Sequence, residues 1–307
     1  MENQYDLIIV GGSAAGASAG VYAARRGLKF LIISKDLGGE VALSGEVENW
    51  LGIQHTTGIE LAQQFSAHLK SYNPDILDGT LVDSIKRDES GMFKIATDDN
   101  KEINAKSVIV ATGAHSKLLG VEGEEKYRLR GVSYCTVCDG PLYAGKRTVT
   151  IGGGNSALES ALMLADIASE VTVINKNTIF KGEKSLIEKI SKNPKVKIIY
   201  SALTTGFLGD GTKATGVKYK DSDGQEHEIS MDGAFVHIGQ IPNSQMIPSE
   251  CEKNPFGYIM TNLDGSTSCA GLFAAGDVTN VAHKQIIIAA GMGAIAALSA
   301  VQYLNRL

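Results

Sequence analysis

Two stretches decide the fold: YDLIIVGGSAAGASAGVYAARRGLKFLIIS at residues 5–34 and KRTVTIGGGNSALESALMLADIASEVTVIN at residues 146–175. Each opens with a short apolar run rich in β-branched residues and breaks into a glycine cluster. An Ala-rich stretch and a second apolar run follow. This order predicts strand, tight turn, helix and strand within about thirty residues, the arrangement that binds dinucleotides. The first helix closes at Gly27. Finding the unit twice predicts two nucleotide-binding domains.

Working outward, each unit is followed by a β-meander that returns to a strand and a glycine turn, VIVATG at 108–113 and FVHIGQ at 235–240. The repeat predicts an α/β fold of two Rossmann-like, three-layer ββα domains, the second inserted into the first. The expected boundaries are 1–115 with 243–307 for the outer domain and 116–242 for the inner one. A length of 307 residues suits two cores better than one. The net charge of −5 argues against a nucleic-acid partner. The apolar stretch 285–304 is Ala- and Gly-rich and interrupted by Gly291, Gly293 and Gln302, so it reads as a buried helix and not a membrane span. With no secretory signal pattern at the start and no disulfide framework among four cysteines, a cytoplasmic location is expected.

In the first glycine loop the G-x-G-x-x-G frame is filled by Gly11, Ser13 and Gly16; in the second, by Gly152, Gly154 and Ala157. Between a strand and a helix such a loop offers backbone N–H groups to a pyrophosphate. The second loop also fits a Rossmann shell that binds nothing. Asp277 in GLFAAGDV (271–278) suits either a ribose or ribityl hydroxyl or a helix cap.

SYCTVCDGPLY (133–143) carries Cys135 and Cys138. A closed zinc site needs four ligands. Cys251 and Cys269 lie too far apart to form a second knuckle, and no histidines pair, so no metal is expected and a redox dithiol is favoured. Asp139 can hold a proton and deliver it to a departing thiolate; its plain alternative is a turn residue. Cys251 and Cys269 read as ordinary small side chains. The charged run GEEKYRLR (123–130) reads as a solvated face, with Tyr127 and Arg130 as candidates for a docking surface.

In these motifs the chain resembles the low-molecular-weight, prokaryotic-type thioredoxin reductases over nearly its whole length. The resemblance rests on the Gly11–Gly16 loop, GGE…EVENWLG (38–52), VIVATGA (108–114), GVSYCTVCDG (131–140), IGGGNSALESA (151–161), GLFAAGDV and HKQIIIAAGMGAIAAL (283–298). It implies that the outer domain holds FAD through Gly11, Ser13, Gly16, Asn49, Thr112, Gly113, Asp277 and Gln285. It implies that the inner, pyridine-nucleotide-type domain carries the redox pair: Cys138 meets the flavin, Cys135 attacks the partner disulfide and Asp139 is the acid and base. The implied partner is a thioredoxin- or glutaredoxin-like protein, and the implied assembly a homodimer.

The donor region departs from the family. Where NADPH-using relatives carry His-Arg-Arg-x-x-x-Arg, this chain reads NKNTIFK (175–181). Lys176 and Lys181 keep charge for a 2′-phosphate without the fork of arginine; no acid is present to read a ribose 2′-hydroxyl. NADPH is the favoured donor, with NADH, ferredoxin and a reduced deazaflavin as alternatives. Glu40 replaces the family's glutamine after Gly38-Gly39, and Ser34–Asp36 shows no clear ribose-binding acid for FAD. A ferredoxin–NADP reductase-like flavoenzyme would share both loops but would not need Cys135, Cys138 and Asp139. A nucleotide-binding regulator that has lost turnover would likewise have no use for them.

Overall fold

The computed structural model describes residues 4–307. They form two units, one made of the residues up to His115 together with Ile241–Leu307, the other of Ser116–Gln240.

The outer unit begins with β1 (Gln4–Val10), α1 (Ala14–Arg25) and β2 (Phe30–Ser34). Then come α2 (Gly58–Lys70), β3 (Asp75–Asp78) and the meander β4 (Val82–Arg87), β5 (Phe93–Thr97) and β6 (Glu102–Val110). α2 starts where the Thr57 side chain and Glu60 cap each other reciprocally, a box written in the sequence as Thr-x-x-Glu. β1 lies between β2 and β6 and runs parallel to both, with Ile8 opposite Leu31 and Val108. Burial on both faces explains its unbroken apolar run.

The inner unit contains β7 (Val132–Ser133), α3 (Thr136–Asp139), β8 (Arg147–Ile151), α4 (Asn155–Ile167), β9 (Glu170–Ile174), α5 (Lys184–Lys192) and β10 (Val196–Ile199). A three-stranded antiparallel meander follows, β11 (Leu203–Gly209), β12 (Ala214–Lys220) and β13 (Glu226–Ser230), and then β14 (Gly233–Val236). The parallel sheet has the order β7-β14-β8-β9-β10.

The chain returns to the outer unit with β15 (Leu272–Ala274), which joins the sheet beside β6, and α6 (Ile286–Leu304). The order of that sheet is β3-β2-β1-β6-β5-β4, with β15 also on β6. α6 lies against α1 so closely that a Cβ on Gly293 would sit 2.0 Å from the carbonyl oxygen of Ala15. Only its small-residue stripe, Gly293, Ala296, Ala297 and Ala300, is buried. The expectation of a fully buried helix therefore fails for the opposite face, where Ile287 and Ile295 are exposed.

Cys251 and Cys269 are joined as a disulfide, with Cα atoms 5.5 Å apart. This corrects their reading as unremarkable small side chains. The segment between them doubles back through a turn at Asn254–Gly257, and the Glu252 N–H bonds the Ser268 hydroxyl at 2.8 Å, which brings the two cysteines face to face.

Candidate active site

The outer unit's site gathers at the carboxyl ends of β1 and β6. Gly11 has φ +107°, and a Cβ there would lie 2.3 Å from Ala111 O; one on Gly16 would strike Gly11 O. No side chain caps α1: the Ser13 hydroxyl donates instead to Gly38 O at 2.7 Å. The first N–H groups of α1 are thereby left for an anion. Asp36 accepts from the N–H groups of Gly38 and Gly39, so this acid closes its own turn. Asn49, 236 residues from Gln285, donates its amide to the Gln285 side chain at 3.1 Å. Thr112 and Asn243 bond each other twice, the Thr112 hydroxyl to Asn243 O at 2.5 Å and the Asn243 amide to Thr112 O at 2.9 Å. Gly113 O accepts from the Asn243 N–H.

Asp277 sits within the one-turn helix Gly276–Val278 and caps neither that helix, whose N-cap is Ala275, nor α6, whose N-cap is Gln285. Burial pushes its carboxyl up to about 6; Lys284 opposes the shift and Glu40 adds to it. Lys284 lies 4.3 Å over the Tyr258 ring and donates to Asp277 O and Thr279 O. Among the described residues no group donates a hydrogen bond to the Asp277 carboxyl. A buried acceptor without a donor, beside an uncapped helix start, fits a ligand bearing both hydroxyls and a pyrophosphate, as FAD does.

The inner unit's site is the turn after β7. Cys135 and Cys138 form a disulfide with Cα atoms 5.3 Å apart. Cys135 is the N-cap of α3, and its sulfur accepts from the Cys138 N–H at 3.2 Å. The same N–H would favour a thiolate on Cys135 once the bond opens. Asp139 is largely buried; the loss of solvent raises its pKa against the opposing hydrogen bond from Ser133, whose hydroxyl lies 2.5 Å away. The Ser133 oxygen also takes the Cys135 N–H at 3.1 Å, so one serine holds both ends of the redox turn.

Upstream, the reading of GEEKYRLR as a solvated face is corrected at two positions. Glu124 is 2% exposed because it accepts from the N–H groups of Leu119 and Gly120 and from the Tyr134 hydroxyl. Tyr127 is buried in the inner core and so belongs to no docking surface, whereas Arg130 is exposed.

At the second glycine loop α4 starts at Gly154 without a side-chain cap, and Ala157 is buried. Asn175 is also buried: its amide donates to Ile179 O at 2.9 Å and its carbonyl oxygen accepts from the Asn177 N–H at 3.1 Å. Lys176 and Lys181 are exposed, and the Lys181 N–H bonds Gly153 O at 2.8 Å, tying the basic segment to the glycine loop. Sequence reasoning missed Ser133, Asn243 and Lys284. Each acts through a contact that folding creates, and only Ser133 lies near enough to the motif to have been suspected.

The pyridine nucleotide-disulphide oxidoreductase family matches residues 5–293. The chain is 42% identical to an alkyl hydroperoxide reductase flavin-side relative from Pseudomonas putida, the F component of that enzyme, over 98% of its own length and 58% of that protein's. It is 38% identical to a protein named NADH dehydrogenase of Bacillus subtilis (strain 168), covering 98% of this chain and 59% of that one. It therefore spans less than two thirds of these curated relatives. Among solved structures, thioredoxin reductase from Streptococcus pyogenes MGAS5005 aligns over 100% of both chains with a TM-score of 0.94 and 34% identity. That of T. acidophilum aligns over 99% of both, with a TM-score of 0.67 and 42% identity. With a dithiol turn and two nucleotide-type glycine loops already in place, these likenesses agree with the geometry: the chain belongs to the pyridine nucleotide-disulphide oxidoreductases and is built like a thioredoxin reductase.

Proposed function

We propose that the chain is an FAD-dependent disulfide reductase that passes two electrons through Cys135–Cys138 to the disulfide of a thioredoxin-like protein. The observation that carries this is the Cys135–Cys138 pair closed at the start of a helix with a buried, proton-retaining Asp139 beside it. FAD, held by the α1 N–H groups, Asn49, Gln285, Thr112 and Asp277, supplies the two-electron relay when bound. The remaining chemistry belongs to the protein. Reduction of Cys135–Cys138 leaves a Cys135 thiolate favoured by the Cys138 N–H. That thiolate attacks a partner's disulfide; a mixed disulfide forms, the partner's other sulfur leaves, and Asp139 supplies its proton. Cys138 then displaces the partner and the Cys135–Cys138 bond re-forms.

For the donor, Asn175 has both ends of its amide engaged within its own turn, which argues against ribose reading by an acid or its substitute. The exposed charges of Lys176 and Lys181 favour the 2′-phosphate of NADPH over NADH. The test is anaerobic titration of the yellow protein with NADPH and NADH, followed by a count of thiols formed at Cys135 and Cys138. NADPH is expected to bleach the flavin and open the pair. If dithionite bleaches the flavin while both nucleotides fail, the nicotinamide donor is wrong, and ferredoxin or a reduced deazaflavin takes its place. If the flavin is reduced and the pair stays closed, disulfide reduction itself is wrong.

A further inference from the structure

Beneath the redox turn runs a chain of three polar side chains that the mechanism above does not use. Thr136, the residue directly after Cys135, is buried. Its hydroxyl lies 2.6 Å from the hydroxyl of Ser160 on α4 and 2.8 Å from Nε2 of His237, the residue that follows β14. Ser160 is buried as well, and burial pushes the His237 imidazole down to about 4, so the ring is neutral at physiological pH. A neutral imidazole and two hydroxyls satisfy both bonds whichever way the protons run. Ser160 has no other side-chain hydrogen bond among the described residues.

Both anchors are rigid. Ser160 belongs to the buried face of α4. The His237 N–H bonds Ile151 O at 2.8 Å, and its carbonyl lies where a Cβ on Gly152 would come within 2.2 Å. Thr136 is therefore held from the helix layer on one side and from the sheet edge and glycine loop on the other. It is also the residue through which the Cys135 N-cap passes into α3.

We propose that Ser160, Thr136 and His237 are positioning residues that clamp the Cys135–Cys138 turn in its closed geometry, so that the two sulfurs stay within reach of each other after reduction. The proposal rests on Cys135–Cys138 being the redox pair proposed above. When the S–S bond opens, the turn loses its covalent tie. The clamp then keeps the Cys138 N–H aimed at the Cys135 sulfur and keeps the effective concentration of one thiol near the other high. Loosening it disfavours ring closure, so the pair becomes easier to reduce.

The test is the equilibrium of the full-length flavoprotein with glutathione. There the Cys135–Cys138 bond breaks as two glutathione thiols become one glutathione disulfide, and the two electrons and two protons end on the protein sulfurs. The fraction reduced is read by alkylation and peptide mass at Cys135 and Cys138. Thr136→Val keeps the side-chain size and removes the hydroxyl; it is expected to shift the equilibrium about five- to tenfold toward the dithiol, the scale of one lost hydrogen bond. His237→Phe should shift it the same way, and Thr136→Ser should restore most of the wild-type value. Adding Ser160→Ala to Thr136→Val should change nothing more, since the bond it would remove is already gone. Thermal melting of each variant separates a loosened turn from a loosened domain. Wild-type equilibrium in folded Thr136→Val, or an equal shift in Thr136→Ser, overturns the clamp. A wild-type pair that glutathione neither opens nor closes overturns the redox reading beneath it.

Discussion

Replacing Asp277 with asparagine should make the flavin-free protein more stable at neutral and alkaline pH while weakening its hold on flavin. The folded carboxyl, buried and pushed up to about 6, keeps its proton more tightly than the same group in the unfolded chain. The protonated form contributes its stability in full below the pKa of an unfolded aspartate, near 3.9. That contribution is lost as the pH rises through about 6. A gap of about two pH units, at about 1.4 kcal/mol each, makes the ionised carboxyl cost about 3 kcal/mol at pH 8 and about 1.5 kcal/mol at pH 5. Asparagine keeps the shape and never ionises. Urea unfolding of flavin-stripped wild type and Asp277→Asn should therefore show the variant more stable by up to about 3 kcal/mol at pH 8, with roughly half that advantage at pH 5. Lys284 works against the gain, because its attraction to the carboxylate is lost. That opposition is already contained in the raised value. A stability difference independent of pH, or a variant less stable than wild type at pH 8, would refute a carboxyl held neutral by burial. Flavin retention on dilution gives the opposite reading of the same residue, since asparagine offers a ribityl hydroxyl a weaker acceptor than a carboxylate.

Gly293→Ala should disrupt the outer unit, because the added carbon would lie 2.0 Å from Ala15 O and α6 would have to move off α1. Overpacking of about 1–3 kcal/mol is expected, with loss of bound flavin before loss of secondary structure, read by flavin release against circular dichroism. Replacing Cys251 and Cys269 together by alanine should cost about 3 kcal/mol, the scale for a bridge closing a loop of this length. Unfolding with and without reductant measures it, and free thiols at both positions in denatured, unreduced wild type would refute the bridge.

What the sequence yields on its own is what chemistry places within a few residues. The strand–glycine–helix pattern around Gly11 and Gly152 and the spacing of Cys135, Cys138 and Asp139 are local, so periodicity and turn chemistry reach them. Asn49 and Gln285 could be named only through resemblance, because their bond spans 236 residues. Glu124 shows a different limit. A run of charges predicts solvent exposure, but the N–H groups of a neighbouring turn draw one acid inward, and composition does not tell which. Cys251 and Cys269 fail for a third reason: nothing in the intervening residues announces a chain that doubles back. The Ser160–Thr136–His237 chain combines both difficulties, since it joins three elements through side chains that are individually unremarkable.

The nesting of one unit within the other also orders the events of synthesis. β1, α1 and β6 leave the ribosome early, yet β15 and α6, which complete their sheet and cover α1, are encoded after the whole inner unit. At about 5–20 residues per second, the strand ending at Val110 waits on the order of ten to forty seconds for Gly293. During that interval the inner unit, continuous in the chain, can close its own core. The alanine face of α1 and the open edge of β6 meanwhile stay uncovered. A nascent chain of this design needs shielding at its first-made part, and stalling or truncation anywhere beyond residue 240 leaves a finished inner unit attached to an outer sheet that lacks its last strand.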